Sequence, residues 1–264
     1  MDITSSTRIF ALVLTLLSSL AHTDTITLVA DRWYPYNGTP QSPKPGYMIE
    51  IAKFVFGQAG HTIQYQLMSW DRALRLTREG KKNCVVGSYK SEAPDFVFPN
   101  SHQGVDQNII IKRSDDEWLY AGPQSLKNIR LGAIAGYDYT PSISDYINQH
   151  KDNPDRIKIT RGRFPLEQNL LALINGELGA VVGSSEVVSA AIEKQHWEND
   201  IAIAGKVGDR SKLYIACSPA IQKSQAYADL LTTGMKHLRK TGELNNILAR
   251  YGLKDWQGIT AIDN

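Results

Sequence analysis

An α/β fold is predicted for this chain by an alternation of two patterns. Short apolar, β-branched runs are followed by segments whose apolar residues recur at helical spacing. Such alternation implies a mostly parallel sheet with right-handed crossovers. A second observation supports it: polar, glycine-containing loops leave the ends of the runs, as at Gly87-Ser88-Tyr89-Lys90-Ser91, where open α/β sheets hold small ligands. A third is that the series is played through twice, with no obvious sequence repeat between the halves.

Ile26 to Ala30 reads as a buried strand. A loop dense in aromatics follows, Asp31-Arg32-Trp33-Tyr34-Pro35-Tyr36-Asn37-Gly38. Rings gathered this way line ligand clefts or cap a sheet edge. Pro45-Gly46 stops the loop, and Met48, Ile51, Ala52, Val55 and Phe56 set a helix over 47–58. A strand over 63–68, a helix from an N-cap at Ser69 to Gly80, and a strand at Cys84-Val85-Val86 complete the first series. A strand over 106–112 leads to the second series. It has strands at 131–135, 157–160, 180–182 and 201–204, with helices at 142–150, 166–175 and from the cap Gly183-Ser184-Ser185-Glu186 to Gln195. A late strand over 213–217 and two helices, at 225–240 and 243–251, close the chain. The tail at 257–264 is expected to fray.

The net charge, 29 − 27 = +2, with basic residues scattered, argues against a nucleic-acid partner. At the N-terminus, Arg8 precedes the apolar run Ile9 to Leu20, and Ser19-Leu20-Ala21 forms a small-x-small site. The run falls short of the ~20 residues a membrane span needs. Residues 1–21 therefore read as a secretory signal peptide, leaving an exported chain with no membrane insertion after cleavage. In an oxidising compartment the two cysteines, Cys84 and Cys217, favour one disulfide. Both sit in apolar strand patterns, so buried free thiols are the alternative. No His pair at metal spacing accompanies them, and neither a metal nor a cofactor is expected.

Catalytic signatures are missing too. The six histidines are dispersed, and the sequence has no Gly-x-Ser-x-Gly elbow, phosphate-cradling glycine loop or dinucleotide fingerprint. A non-enzyme is expected.

The order of these features resembles the family 3 solute-binding proteins of ABC transporters, the polar amino-acid type, from about Ile26 to Trp256. The marks are the aromatic loop Trp33 to Tyr36, Gly46-Tyr47 with Glu50 one turn on, and Trp70 with the strand Cys84 to Gly87. Ser125-Leu126 before the strand ending in Gly136, and Asn175-Gly176 before Ala180 to Val182, add to them. Leu213 to Ser218 and the terminal helices with Tyr251-Gly252 complete the set. The resemblance implies a two-lobe periplasmic-binding-protein fold (type II), each lobe a mostly parallel sheet flanked by helices, joined by two crossover strands. It implies lobe one at 24–110 and 208–256 and lobe two at 111–207, with both cysteines in lobe one and near each other. The function it implies is capture of a small polar molecule by hinge closure, for an ABC permease or a membrane receptor, by a periplasmic monomer. Some members of the fold class are dehydratases of prephenate-like acids, a role that would fall here to Glu167 or Glu186.

Ligand contacts are expected from Trp33, Tyr36, Trp70, Arg72, Gly87, Ser88, Tyr89, Lys90, Tyr137, Asp138, Tyr139, Thr140, Gln168, Ser184 and Glu186. Tyr34 and Phe164 extend the aromatic rim, and the loop Gly136 to Thr140 opens a helix whose free N–H groups can hold an anion. The resemblance breaks at two places. Relatives carry an arginine after the shelf for an α-carboxylate, where this chain has Pro94. They often carry an aspartate for the α-ammonium, where this chain has Ser184. Three readings follow: Lys90 or Arg72 supplies the carboxylate grip, Glu186 or Asp138 supplies the ammonium partner, or the ligand is not an ordinary α-amino acid.

Overall fold

A computed structural model describes residues 23–257 of the chain. The expected signal segment at 1–21 and the tail beyond residue 257 lie outside the described residues. No helix among the described residues is long and apolar enough to cross a membrane.

Eight strands form one sheet in the order β2-β1-β3-β8-β4-β7-β5-β6. On one side β1 (Thr25–Ala30) pairs in parallel with β2 (Thr62–Leu67) and β3 (Cys84–Ser88). On the other, β5 (Leu131–Ile134) pairs in parallel with β6 (Ile157–Thr160) and β7 (Ala180–Ser184). Between them run β4 (Gly104–Arg113) and β8 (Ile201–Cys217), antiparallel to each other. β8 also pairs antiparallel with β3, and β4 with β7. Each half of the sheet is thus a parallel trio with an antiparallel strand at its inner edge, and β4 and β8 pass from one half to the other.

The helices are α1 (Tyr47–Gln58), α2 (Trp70–Arg78), α3 (Pro141–His150), α4 (Pro165–Ile174), α5 (Ser185–Gln195), α6 (Ser224–Thr241) and α7 (Glu243–Ala249). One core runs from Ile26, Leu28, Ile51 and Phe56 through α6 and α7, and on to Leu170 and Val188. A second packs α3 on the opposite face of the β5–β6–β7 trio around Ile110, Ile143 and Val182. A third sets Trp70 and Phe96 against Val29 and Val85.

One element differs from the sequence reading. The segments at 201–204 and 213–217 are a single strand, with Gly205-Lys206-Val207-Gly208-Asp209-Arg210-Ser211-Lys212 continuing it. Val207 is the one fully buried residue of that octet, so no apolar alternation marks it. Pairing with β4 supplies the hydrogen bonds instead, with register shifts between Asp106 and Asn108 and between Ile110 and Ile111. Ser69 and Ser184 occupy the N-cap positions of α2 and α5, yet neither hydroxyl caps its helix. Cys84 and Cys217 lie directly opposite in the β3–β8 pairing and are joined by a disulfide.

Candidate functional site: the cleft between the two half-sheets

The strand ends build the site. Beyond β1 the chain folds back on itself: Trp33 N–H donates to Asn37 O (2.8 Å), Asn37 N–H to Trp33 O (3.1 Å), and Asn37 Nδ2 to Asp31 O (2.7 Å). This small knot lays the Trp33 ring on Tyr36, with centroids 4.4 Å apart. Tyr89, just past β3, meets Trp33 edge-on at 6.5 Å. Trp70 at the start of α2 and Tyr137 and Tyr139 beyond β5 complete an aromatic enclosure around a cavity of about 640 Å³. That volume lies within the range of small-ligand pockets.

Polar contacts cross the cleft. Tyr137 Oη donates to Asp31, and Ser91 Oγ donates to Asp138 at 3.0 Å. Arg32 Nη1 meets Glu167 Oε1 at 3.0 Å, with the guanidinium over the Phe164 ring. Farther back, Tyr36 Oη has three acceptors within reach: Val105 O (2.9 Å), Asp106 Oδ1 (3.2 Å) and Glu186 Oε2 (3.1 Å). Its single proton serves one at a time.

Buried carboxyls set the electrostatics. Desolvation lifts Asp31 to about 6, against the hydrogen bond from Tyr137. Glu92 rises to about 7, chiefly by desolvation, although Tyr89 N–H (2.9 Å) and Trp70 Nε1 (3.1 Å) donate to it. Asp106, buried within β4, rises to about 6 by desolvation despite the hydroxyl donors of Tyr89 (2.6 Å) and Tyr36 (3.2 Å). These groups hold protons more firmly folded than unfolded, so their contribution to ligand-free stability falls as pH rises from about 4 to about 7. His102, lowered by burial, works in the opposite sense over the upper part of that range. With three carboxyls against one histidine, thermal melts are expected to fall with rising pH. Glu92→Gln should flatten the slope and raise the melting temperature at pH 7.5 by roughly 5 °C, since 4.5 to about 7 is worth at most about 3 kcal/mol. An unchanged slope in the variant would remove Glu92 from this account.

Of the residues singled out in the sequence, Trp33, Trp70, Gly87, Tyr89, Tyr137, Asp138, Tyr139 and Ser184 line the cavity, as do Tyr34 and Phe164 on its rim and Glu167, the acid of the dehydratase alternative. The others do not. Arg72 is exposed, because α2 buries Trp70, Ala73 and Thr77 and turns Arg72 to solvent. The Lys90 ammonium sits over the Phe98 and Tyr214 rings. Ser88 is buried and donates to Tyr89 O, and Tyr36 lies behind Trp33. Thr140 packs by Gly208 on β8, and Gln168 is exposed on α4. Glu186 faces a second groove of about 480 Å³ toward Arg250 and Tyr251. Neither proposed carboxylate grip therefore reaches the cavity.

The lining groups that were not singled out include Asp31, Arg32 and Glu92. The only signal for Glu92 was a carboxyl directly behind the shelf loop. Among the described residues no cluster of His, Cys, Asp or Glu has the closeness to hold a metal ion.

Two half-sheets joined by paired strands, with the cavity between their strand ends, define a two-lobe solute-binding protein. The chain belongs to the bacterial extracellular solute-binding proteins, family 3, whose sequence profile matches residues 26–254. Among curated proteins no sequence matches it. Solved structures share the fold at low identity. A histidine kinase sensor domain with similarity to periplasmic binding proteins is 20% identical, with a TM-score of 0.70 over 86% of this chain and 95% of its own. A structure described under glutathione import via GshT and the cystine ABC importer TcyBC of Streptococcus mutans is 15% identical, with a TM-score of 0.71 over 87% and 94%. The arginine-bound AbpA of Streptococcus pneumoniae is 20% identical, with a TM-score of 0.66 over 86% and 94%.

Proposed function

We propose that this protein is an exported, periplasmic solute-binding protein. It captures a small polar molecule between lobes formed by residues 24–110 with 208–256 and by residues 111–207, and delivers it to an ABC permease. The observation that carries the reading is the aromatic cavity of about 640 Å³ with walls from both half-sheets. A ligand touching both walls binds the closed form more strongly than the open one, and that difference drives closure. A monomer suffices because both walls come from one chain. The similarity to a sensor domain supports a second reading, in which closure is read by a membrane receptor.

The test is a thermal-shift screen of amino acids, amines and small organic acids against the mature chain. A member that binds should raise the melting temperature by several degrees at millimolar concentration and remain chemically unchanged. No shift from any member would count against the reading, and a changed ligand would count for an enzyme. For a ligand that binds, Trp33→Ala is expected to weaken affinity about tenfold, from the loss of one stacking or cation–π face. Equal affinity in titration calorimetry would take Trp33 out of the site. Transport and sensing separate by pull-down of the liganded protein with permease or receptor.

A further inference from the structure

We propose that the ligand is an organic cation that presents an ammonium or guanidinium group to the inner cleft between Asp31, Glu92 and Asp138 and carries no α-carboxylate. This rests on the cleft being the solute site and adds the chemical class of the solute.

Asp31, Glu92 and Asp138 all line the cavity, and none takes part in an ion pair among the described residues. Their partners are neutral donors: Tyr137 for Asp31, Trp70 Nε1 and Tyr89 N–H for Glu92, and Ser91 and Ser144 for Asp138. Positive charge is absent where it would be needed to hold an anion. Arg32 is committed to Glu167 and Phe164, while Lys44, Arg163 and Lys194 are exposed at the rim. A zwitterionic amino acid placed amine-inward would leave its carboxylate without a buried basic partner. An unpaired anion in such surroundings is costly.

Further features of the cavity favour an organic cation. The three carboxyls are not clustered closely enough for a metal ion, so the charge that meets them is spread or reaches in on a carbon frame. The rings of Trp33, Trp70 and Tyr137 line the space, and aromatic rings attract such cations. The buried Ser184 Oγ, also on the cavity wall, has no hydrogen-bond partner and is free to receive an N–H donor.

The site is also proton-linked. Glu92 is faced by Asp138 from the loop beyond β5, by Trp70 and Tyr89 of its own half, and by Asp31 across Tyr137. No basic group is among the influences on it. Desolvation and the Asp138 charge keep Glu92 near 7, so part of the population is protonated at neutral pH. An arriving cation favours the ionised form and expels that proton. Affinity should therefore rise with pH through the titration of Asp31 and Glu92, then level off.

Matched pairs that differ by the carboxylate test this directly: agmatine with L-arginine, histamine with L-histidine, tyramine with L-tyrosine and putrescine with L-ornithine. Each is titrated calorimetrically into the mature chain at about pH 5.5, 6.5 and 7.5 in two buffers of different ionisation enthalpy. At least one amine is expected to bind about tenfold or more tightly than its amino acid, to gain affinity with pH and to release protons near pH 6.5. Glu92→Gln should reduce that release, and the wild-type titrations carry the test if the variant does not fold. Tighter binding of the amino acid in every pair overturns the inference, as does binding by succinate or benzoate but by no amine. Both of those results leave the solute-binding reading standing. Silence across amines, amino acids and acids overturns both.

Discussion

Replacing Cys84 and Cys217 together by alanine is expected to lower the melting temperature of the ligand-free protein by about 10 °C or more. The bond closes a loop of 133 residues, for which chain entropy in the unfolded state is worth about 5 kcal/mol. In a chain of this size each kcal/mol moves the midpoint by about 2–4 °C. Alanine is the better replacement, because both positions are fully buried and a serine hydroxyl would add an unpaired polar group. The bond ties a strand from the first series to the last residue of β8, within the sheet and away from the cavity lining. Ligand affinity of the folded variant should therefore stay within about threefold of wild type. Calorimetric melting in oxidising buffer checks the first part, and a drop below about 3 °C would refute it. Titration of the denatured, non-reduced wild type should find no free thiol.

Gly87→Ala carries the largest expected effect on binding. Gly87 has φ 91°, a region that side-chain-bearing residues rarely enter, at a cost of about 1–3 kcal/mol. A Cβ there would stand 3.1 Å from Asn37 Oδ1 and 3.3 Å from the Trp33 ring. Both belong to the knot that holds the aromatic wall, so relief of the contact moves Trp33 itself. Affinity is expected to drop about tenfold or more, and stability by about 2 kcal/mol. Gly57→Ala is the matching control. It lies within α1 with nothing within 4 Å of the added methyl, and should gain about 0.5–1 kcal/mol. If Gly87→Ala binds and melts like wild type, the shelf has no role in posing Trp33.

The inner strands β3, β5 and β7 of the parallel trios were legible because they are buried on both faces, and the helices because they are buried on one. Burial of that kind writes apolar runs and helical spacing into the sequence. The middle of β8 was not. Its residues 205–212 are held by backbone pairing with β4 in a largely exposed ribbon, which makes no demand on side-chain type. In the cleft, the aromatic wall at Trp33, Trp70, Tyr89 and Tyr137 was readable from the strand-end rule. The pairing of Arg32 with Glu167 was not, since 135 residues separate them and only the tertiary approach of the two half-sheets' strand ends brings them together. Arg72 and Lys90 show the converse error. A basic residue near the right loop suggests a grip, but the helix register of α2 and the rings of Phe98 and Tyr214 point these two elsewhere.

The disulfide uses every cysteine the chain has. A cysteine introduced at Thr39, exposed on the cavity wall, would then be the sole reactive thiol of the molecule. A polarity-sensitive dye attached there would brighten or dim as the walls meet, so the same staple that holds β3 to β8 leaves the protein ready to serve as a single-label optical reporter of its own solute.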